Sequence, residues 1–338
     1  MILLPLDPAS PDPRALRPAA ETLRRGGLVA FPTETVYGLG AHALDPEAVA
    51  RIYAAKGRPG YNPLIVHVAD ADAARALTSA WPAEADALAA AFWPGPLTLV
   101  LPKNDSIPHS VTAGLPSVAL RVPAHPVAHA LLRLAGIPVA APSANRSTEV
   151  SPTTAQHVVR SLGERVDVIV DGGPCPVGIE STVLSLAGPV PTLLRPGTIS
   201  VDDLRPVIGA VALPSSAPEA TAARPSPGMM DRHYAPRAEL RLFVEGESEA
   251  ERVETLLGDT AVLVLHPNAW RAGVLPSADV IVMPDDPAAY AGRLYSLLHE
   301  LDDRGFRRIW VQQPPDAPAW AGVRDRLRRA ATGPHPGS

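Results

Sequence analysis

Helical and extended hydrophobic patterns alternate through the first two hundred residues. Apolar positions at helical spacing predict helices over 13–25, 46–56, 70–79, 83–92, 126–134 and 154–162. Short apolar runs bounded by Gly, Pro or polar residues predict strands over 28–31, 64–68, 97–101, 117–123 and 168–170, and another that ends at Arg195. Asp45, Pro46 and Gly57 mark the two ends of the second helix. The polar segment 32–40 is predicted to be a loop at the end of a strand, where α/β sheets often bind ligands.

A second pattern of strands and helices follows a segment rich in Pro, Ala and Ser at 212–227, which we interpret as a linker. Strands are predicted over 240–243, 261–265, 280–283 and 308–311, and helices over 248–257, 287–303 and 320–330. This alternation predicts a small, mostly parallel sheet covered by helices. The predicted division is a first domain at 1–211, a linker at 212–237, a second domain at 238–332 and a tail at 333–338. The fold class is α/β.

Composition narrows the class of protein. A chain of 338 residues with 46% hydrophobic and 19% charged residues predicts two globular domains. The net charge of −5 argues against tight nucleic-acid binding driven by bulk electrostatics. Cys175 is the single cysteine, which fits a reducing compartment. The first eight residues are too short and too interrupted for a signal peptide, and no apolar run could span a bilayer. We therefore expect a soluble, cytoplasmic protein.

The segment 56–67 concentrates groups that suit a phosphate ligand. Pro59 and Pro63 disfavour helix before them, so we expect an extended chain in which Lys56 and Arg58 project to the same side. An ammonium and a planar guanidinium that converge in this way suit a polyphosphate. Two simpler interpretations stand beside this one. The segment could be a solvated basic loop, and a cation at Lys56 is favoured by the end of a helix in any case.

Further polar groups in the first domain extend this pattern. Arg121 faces inward from a predicted strand and needs an anionic partner. The candidate cations are Lys56, Arg58, Arg121 and Arg195, with His67 nearby, and the candidate hydroxyl and amide groups are Thr33, Thr35, Asn62, Ser117, Ser143, Asn145 and Ser181. Such a set could hold a nucleoside triphosphate beside a small carboxylate-bearing molecule, and it would act by positioning and charge stabilisation. Capped turns and a Ser/Asn-rich loop remain the alternative. The Walker A, dinucleotide-binding and nucleophile-elbow motifs are absent.

Several ordered motifs resemble the YrdC-like family. They read F-P-T-E-T-V-Y-G-L-G, K-G-R-P…N-P-L-I-V-H, P-S-A-N, D-G-G…G-I-E-S-T-V and R-P-G, and they run from about residue 26 to 200. The segment S-P-G-M…R-H-Y-A-P and the second domain resemble the long, two-domain form of this family. The resemblance implies a YrdC-like twisted open sheet followed by a smaller Rossmann-like α/β domain.

The same resemblance implies a reaction. L-threonine, bicarbonate and ATP become threonylcarbamoyl-AMP and pyrophosphate, and the product is passed to a complex that modifies tRNA beside the anticodon. By the family pattern the catalytic residues are Lys56, Arg58, Ser143 and Asn145. The threonine site comprises Thr35, His67, Arg121, Ala141 and Ser181. The ATP site comprises Arg58, Asn62, Ser117, Ser143, Ser151, Arg195 and Tyr234. No protein metal ligands are implied.

The resemblance also implies that Mg²⁺ is carried mainly by the ATP phosphates. Tyr234 is expected to fold over the site as a lid that excludes water. The chain departs from the family pattern at Met230-Asp231, where a Lys-Tyr pair is usual, and at Thr148, where Gly is common. These departures concern the lid and one loop, not the motifs of the first domain.

Two other functions are weighed against this one. A factor that handles a carbamoyl-adenylate during hydrogenase maturation is disfavoured, because zinc-finger cysteines and an acylphosphatase-like segment are absent. A non-catalytic RNA-binding module associated with translation is disfavoured by the acidic balance and by the lack of interleaved basic and aromatic residues. A weak RNA contact remains compatible with the sequence.

Overall fold

The structure, a computed structural model, describes residues 1–213, 233–244, 259–266 and 279–331. These residues form two β-sheets with helices packed against them, which confirms the predicted α/β class. The predicted helix at 248–257 lies outside the described residues, as do Met230 and Asp231. In the described ranges no helix combines the length and apolar character that a bilayer crossing requires.

The first sheet contains ten strands in the described part of the chain. They are β1 (Ile2–Pro5), β2 (Val29–Phe31), β3 (Gly38–His42), β4 (Ile65–His67), β5 (Leu97–Pro102), β6 (Ser117–Arg121), β7 (Val139–Ala140), β8 (Val168–Asp171), β9 (Thr182–Ser185) and β10 (Thr192–Arg195). Their spatial order is β1-β8-β2-β3-β7-β4-β6-β5-β9-β10, with both parallel and antiparallel pairs. The sheet therefore brings strands that are far apart in sequence, such as β4 and β6, side by side.

Helices pack on this sheet, and several of them carry a side-chain cap at the N-terminus. They are α1 (Pro13–Arg24), α2 (Pro46–Lys56), α3 (Ala71–Arg75), α4 (Ala83–Phe92), α5 (His109–Thr112), α6 (Pro126–Ala135), α7 (Ala155–Leu162) and α8 (Val201–Ile208). The Asp45 carboxylate accepts hydrogen bonds from two backbone N–H groups of α2, and Gly57 ends that helix with a φ of 61°. Lys56 is thus the last residue of the helix, as its sequence predicted.

Apolar residues on both faces of the central strands explain why helices cover both sides. In β2, Ala30 packs into the core beneath α2 and α7, whereas Val29 and Phe31 pack against α1 and α6 on the other face. Farther along this second face, Ile65 of β4 and Ala119 of β6 form a small separate apolar cluster. Polar residues such as His67 and Arg121 lie next to this cluster. The part of the sheet face that α1 and α6 leave uncovered thus forms the floor of a pocket.

The structure corrects several local predictions. Lys56 and Arg58 do not lie on one extended strand, because Lys56 is helical and Gly57 is left-handed. Proline restricts only the residue immediately before it, so Pro59 constrains Arg58 but not the two residues before that. The predicted loop at 32–40 is shorter, since β3 begins at Gly38. Strand β1 and helix α8 were not predicted at all.

The second sheet is parallel throughout its described strands, as predicted. Strands β11 (Glu239–Phe243), β12 (Thr260–Val264), β13 (Asp279–Val282) and β14 (Arg308–Gln312) adopt the order β11-β14-β12-β13. Two helices, α9 (Pro287–Asp303) and α10 (Ala321–Ala330), accompany them, and a single 3-10 turn precedes α10. The apolar stripe on α9, from Tyr290 to Leu301, is buried in the core of this sheet.

Candidate active site

One pocket collects most of the candidate residues at the ends of strands of the first sheet. Its open volume is small, about 50 Å³. Its walls come from the loops after β2 and β7, the ends of β4, β6 and β10, and the turn before β9. They are formed by Thr33, Thr35, Val36, Gly38, Arg58, Ile65, His67, Arg121, Ala141, Pro142, Ser143, Glu180, Ser181, Arg195, His233 and Tyr234.

His67 and Arg121 lie side by side because β4 and β6 pair in parallel register, with His67 opposite Arg121. Burial, and then the positive charge of Arg121, lower the pKa of His67 to about 3, so its imidazole is neutral at physiological pH. Its ring meets Phe31 edge-on. A neutral His67 offers the pocket a hydrogen-bonding group without adding a charge.

Arg121 has an anionic partner inside the protein. Its Nη2 lies 2.8 Å from the Glu34 carboxylate, its Nη1 donates to Thr35 Oγ1 at 2.9 Å, and its Nε donates to the carbonyl of Gly95 at 3.2 Å. The inward-facing arginine predicted from the strand pattern is therefore held rigidly by three groups. Glu34 belongs to a quoted motif, but its role as this partner was not predicted.

Ser181 is held by residues on β5 and β10, the two strands that flank β9. Its Oγ lies 2.7 Å from Thr98 Oγ1 of β5, and the Nη2 of Arg195 donates to the same Oγ at 3.2 Å. The Nε of Arg195 donates to the Ser181 carbonyl at 3.1 Å. Thr98 lies in the middle of an apolar strand, and its hydroxyl was the only sequence signal of this contact.

Arg58 reaches the pocket from the residue that follows the helix-ending Gly57. Its Nε donates to the carbonyl of Asn62 at 3.1 Å and its Nη2 to the carbonyl of Pro63 at 2.8 Å, so two backbone groups fix the plane of the guanidinium. Burial lowers the pKa of Arg58 to about 10, which still leaves it charged at neutral pH. The segment that follows Arg58 thus turns back so that two of its carbonyls meet the guanidinium.

Lys56 lies behind the pocket wall and holds the loop that follows β7. Its Nζ donates to the carbonyls of Ser143 and Asn145, each at 2.5 Å, and lies 3.5 Å from the side-chain oxygen of Asn145. The Asn145 amide in turn donates to the Glu149 carbonyl. Burial lowers the pKa of Lys56 well below its usual value. Of the predicted catalytic residues, Arg58 and Ser143 line the pocket, while Lys56 and Asn145 support it.

Three predicted ATP residues do not line the pocket. Asn62 is buried behind Arg58, and its carbonyl also accepts a hydrogen bond from Tyr53. Ser117 lies at the far end of β6 from Arg121. Ser151 is buried and donates to Glu180 at 2.5 Å. Glu180 itself lines the pocket and was not predicted, although it stands within the quoted G-I-E-S-T-V motif.

Glu180 is a carboxylate surrounded by donors. Its Oε2 accepts from Arg326 at 2.7 Å and from Tyr295 Oη at 3.1 Å, in addition to the Ser151 contact on Oε1. Burial alone would raise the pKa of Glu180, but Arg326, Arg195 and the Ser151 hydrogen bond together lower it to about 2. Its oxygens are thus committed to protein donors. In the ranges that the structure describes, no group of three His, Cys, Asp or Glu side chains could hold a metal ion.

His233 and Tyr234 complete the pocket from the C-terminal side of the linker. Tyr234 is 1% exposed, its ring stacks on Tyr295 at 5.8 Å, and it meets His233 edge-on at 4.0 Å. Burial lowers the pKa of His233 to about 3 and raises that of Tyr234. The Tyr234 hydroxyl is buried and has no hydrogen-bond partner among the described residues. An unpaired buried hydroxyl beside a pocket is suited to meet a ligand.

Thr148, where the sequence departs from the family pattern, occupies a conformation that favours glycine. Its φ is 76°, and its carbonyl accepts a hydrogen bond from Ala235, next to Tyr234. A β-branched residue in the left-handed region carries strain of roughly 1–3 kcal/mol. Replacing it with glycine removes this strain, but the greater freedom of glycine in the unfolded chain cancels part of the gain in stability.

We therefore expect Thr148→Gly to raise the free energy of unfolding by about 1 kcal/mol. Chemical denaturation followed by circular dichroism measures this change. Thr148→Ala keeps a Cβ at the same φ and should recover less of it. A Thr148→Gly protein that is less stable than the parent would mean that the loop tolerates the threonine without strain.

Family models match nearly the whole chain. The model described as telomere recombination, which covers the Sua5, YciO and YrdC proteins, matches residues 21–197, and the model of the threonylcarbamoyl-AMP synthase C-terminal domain matches 199–332. The threonylcarbamoyl-AMP synthase of Bacillus subtilis is 45% identical over 93% of this chain and 92% of its own length. That of Pyrococcus abyssi is 41% identical over 94% of each. The crystal structure of P. abyssi Sua5 complexed with L-threonine superimposes with a TM-score of 0.88, at 38% identity over 98% of both chains.

Proposed function

The chain belongs to the Sua5–YciO–YrdC family, in the long two-domain form of the threonylcarbamoyl-AMP synthases, and we propose that the pocket lined by Arg58, Arg121 and Tyr234 is its active site. The reaction joins L-threonine, bicarbonate and ATP into threonylcarbamoyl-AMP with release of pyrophosphate, for threonylcarbamoyladenosine modification of tRNA. The observation that carries the proposal is that three guanidinium groups, from distant parts of the sequence, line one small pocket among buried hydroxyls.

The threonine end of the pocket is the side of Arg121. Because Glu34 already neutralises Arg121, net charge alone attracts the threonine carboxylate less strongly. The guanidinium is nevertheless held in a fixed plane, so its remaining N–H groups can donate directional hydrogen bonds to that carboxylate. Neutral His67 and the hydroxyls of Thr35 and Ser181 supply hydrogen bonds to the amino acid. Ala141, whose N–H bonds to Ile65, keeps the wall narrow enough for a small side chain.

We expect Arg121→Lys to raise the KM for threonine about tenfold while the KM for ATP stays nearly constant. Lysine keeps the charge but cannot reach Glu34, Thr35 and Gly95 together, and one charged hydrogen bond contributes about 1.5–3 kcal/mol. Steady-state pyrophosphate release at varied threonine measures it. Arg133→Lys, on the exposed side of α6, is the matched control. A raised ATP KM with an unchanged threonine KM would assign Arg121 to the nucleotide instead.

The nucleotide end is the side of Arg58 and Arg195. Arg58 remains charged, and both guanidinium groups are oriented by backbone carbonyls, so they are prepared to meet phosphate oxygens without rearrangement. Ser143 offers a hydroxyl beside them. Lys56 and Asn145 act on the nucleotide mainly through the Ser143 loop that they hold. Asn62, Ser117, Ser151 and Tyr234 complete the proposed ATP site. Asn62 acts through Arg58 and Ser151 through Glu180, whereas Ser117, at the other end of β6 from Arg121, would meet a part of the nucleotide outside this pocket.

The chemical step requires positioning and charge stabilisation. The amino group of threonine first attacks the carbon of bicarbonate; a C–N bond forms, a C–O bond breaks, and water leaves to give the carbamate anion. A carbamate oxygen then attacks the α-phosphorus of ATP, and the bond to the departing pyrophosphate breaks. Negative charge that grows on the phosphate oxygens is stabilised by Arg58 and Arg195. Because a carbamate is labile in water, the wall formed by His233 and Tyr234 protects it.

The substrate ATP brings the metal. We propose Mg²⁺, bound mainly through phosphate oxygens, where it would supply charge neutralisation to the leaving pyrophosphate. We further propose a cytoplasmic enzyme that hands its product to a tRNA threonylcarbamoyl transferase complex, with at most a weak RNA contact of its own. The proposed domains remain 1–211, the linker 212–237, 238–332 and the tail 333–338.

Mass-spectrometric detection of threonylcarbamoyl-AMP, formed by the purified chain from ATP, bicarbonate and threonine, tests this function. The product should vanish when any one substrate is omitted. Formation of a carbamoyl-adenylate only when carbamoyl phosphate replaces bicarbonate and threonine would favour the maturation-factor alternative. Salt-dependent RNA binding without ATP turnover would favour the RNA-binding alternative.

A further inference from the structure

Two helices of the second sheet pack directly on the backbone that carries active-site residues of the first. A Cβ placed on Gly178 would lie 2.4 Å from the carbonyl oxygen of Ala291 on α9, and one on Gly322 of α10 would lie 2.5 Å from the carbonyl oxygen of Gly197. Contacts this close leave no room for a side chain. The turn before Ser181 and the residues after Arg195 therefore rest against α9 and α10.

Arg326 of α10 connects these two pieces of backbone. Its guanidinium is fully buried and donates to the Glu180 carboxylate at 2.7 Å, to the Glu180 carbonyl at 3.1 Å and to the Pro196 carbonyl at 3.0 Å. The neighbouring Asp325 carboxylate contacts the same guanidinium at 2.8 Å. Glu180 immediately precedes Ser181, and Pro196 immediately follows Arg195. One side chain of the second domain thus spans both walls.

The same guanidinium also supports the third wall. The central carbon of the Arg326 guanidinium, Cζ, lies 5.2 Å from the centre of the Tyr234 ring, at a distance suited to a cation–π contact. The backbone N–H of His233 donates to the Arg329 carbonyl at the end of α10. Helix α10 therefore carries the His233–Tyr234 segment and the Glu180 and Pro196 contacts at once.

We propose that Arg326 is a positioning residue for synthesis, through which the second domain sets the geometry of Ser181, Arg195 and Tyr234. The inference rests on the proposed function, because it takes those three residues as parts of the threonine and ATP sites. A planar fork is needed for this task, since Arg326 must reach Glu180 and Pro196 simultaneously. The role of the C-terminal domain follows: it forms the rear of the active site.

The test compares Arg326→Lys with Arg328→Lys. Arg328 stands on the same helix and bonds to the same Asp325, but its side chain is largely exposed. We expect Arg326→Lys to weaken threonine binding about tenfold and to raise the KM for ATP, with kcat per folded enzyme also reduced. Arg328→Lys should stay within twofold of the parent. Isothermal titration of L-threonine in the presence of a non-hydrolysable ATP analogue measures binding directly, and the kinetics give the split between KM and kcat.

A purely structural Arg326 would give a different result. The variant would then lose folded protein and thermal stability, while the folded fraction kept parental affinities, and that outcome overturns the proposal. If Arg326→Lys does not fold, Tyr295→Phe replaces it in the test. This variant keeps the ring that stacks on Tyr234 and loses only the hydroxyl that donates to Glu180. A two- to fivefold weaker threonine affinity supports positioning, and unchanged affinity overturns it.

A double variant with Glu180→Gln provides a second criterion. If Arg326 acts through Glu180, the effects of the two single changes on threonine affinity should not multiply in the double variant. Independent, multiplying effects overturn the proposed route. Because these readouts are affinities, they remain decisive even if the parent chain makes no threonylcarbamoyl-AMP. That failure would count against the proposed function and not against the positioning role.

Discussion

Arg58→Ala is expected to lower the rate of threonylcarbamoyl-AMP synthesis by about 10²–10³, with the fold preserved. The guanidinium lines the pocket, stays charged and is fixed by the carbonyls of Asn62 and Pro63. Preorganised charge of this kind stabilises the developing phosphate charge without reorganisation, so its removal should fall mainly on kcat. Pyrophosphate release under saturating substrates measures the change.

The matched control for this variant is Arg51→Ala. Arg51 lies on α2, seven residues earlier, and pairs with Asp167 at 2.8 Å on the surface. The Arg51→Ala substitution removes the same formal charge from the same part of the chain, and we expect it to change the rate less than twofold. Arg58→Ala with a rate close to that of Arg51→Ala would remove Arg58 from the nucleotide site. Circular dichroism of both variants establishes that the comparison is between folded proteins.

Local physical chemistry explains what could be predicted from the sequence. Helix α2 has its cap, its first-turn proline and its terminal glycine within one short segment, so both ends were predicted correctly. The long helix α9 was predicted with its observed bounds because its apolar stripe is a strong local pattern, and the structure adds an N-terminal cap at Asp286. Arg58 lines the pocket as the motif implied, but the extended backbone predicted for residues 56–58 was wrong.

Contacts between distant segments explain what could not be predicted. Glu180 and Arg326 are 146 positions apart, and nothing near either residue specifies the other. Arg121 needed an anionic partner, but the sequence offered many carboxylates, and only the sheet places Glu34 within reach. Likewise the pKa of His67 is lowered first by burial and then by the charge of Arg121, which lies beside it only because β4 and β6 pair across more than fifty residues. The site is therefore an assembly of long-range pairs on locally predictable elements.

Tyr234→Ala should lower kcat/KM by about 10², and the same change should uncouple ATP consumption from synthesis. The ring of Tyr234 fills one wall of a pocket of about 50 Å³, between Tyr295 and Arg326. Its loss opens the pocket to water, which then competes for the carbamate and for ATP. Tyr234→Phe keeps the ring and loses only the hydroxyl, whose hydrogen bond to a substrate would contribute about 1 kcal/mol, so its effect should stay below tenfold. The ratio of pyrophosphate released to threonylcarbamoyl-AMP formed should remain near one for Tyr234→Phe and rise for Tyr234→Ala. The packing control for these variants is Tyr290→Ala, because Tyr290 is buried against Trp320 in the core of the second sheet and does not line the pocket. We expect that control to lower thermal stability while the product ratio stays near one. A Tyr234→Ala enzyme that remains coupled at the parental rate would show that the ring does not shield the reaction, and the pocket would then have to exclude water by the first domain alone.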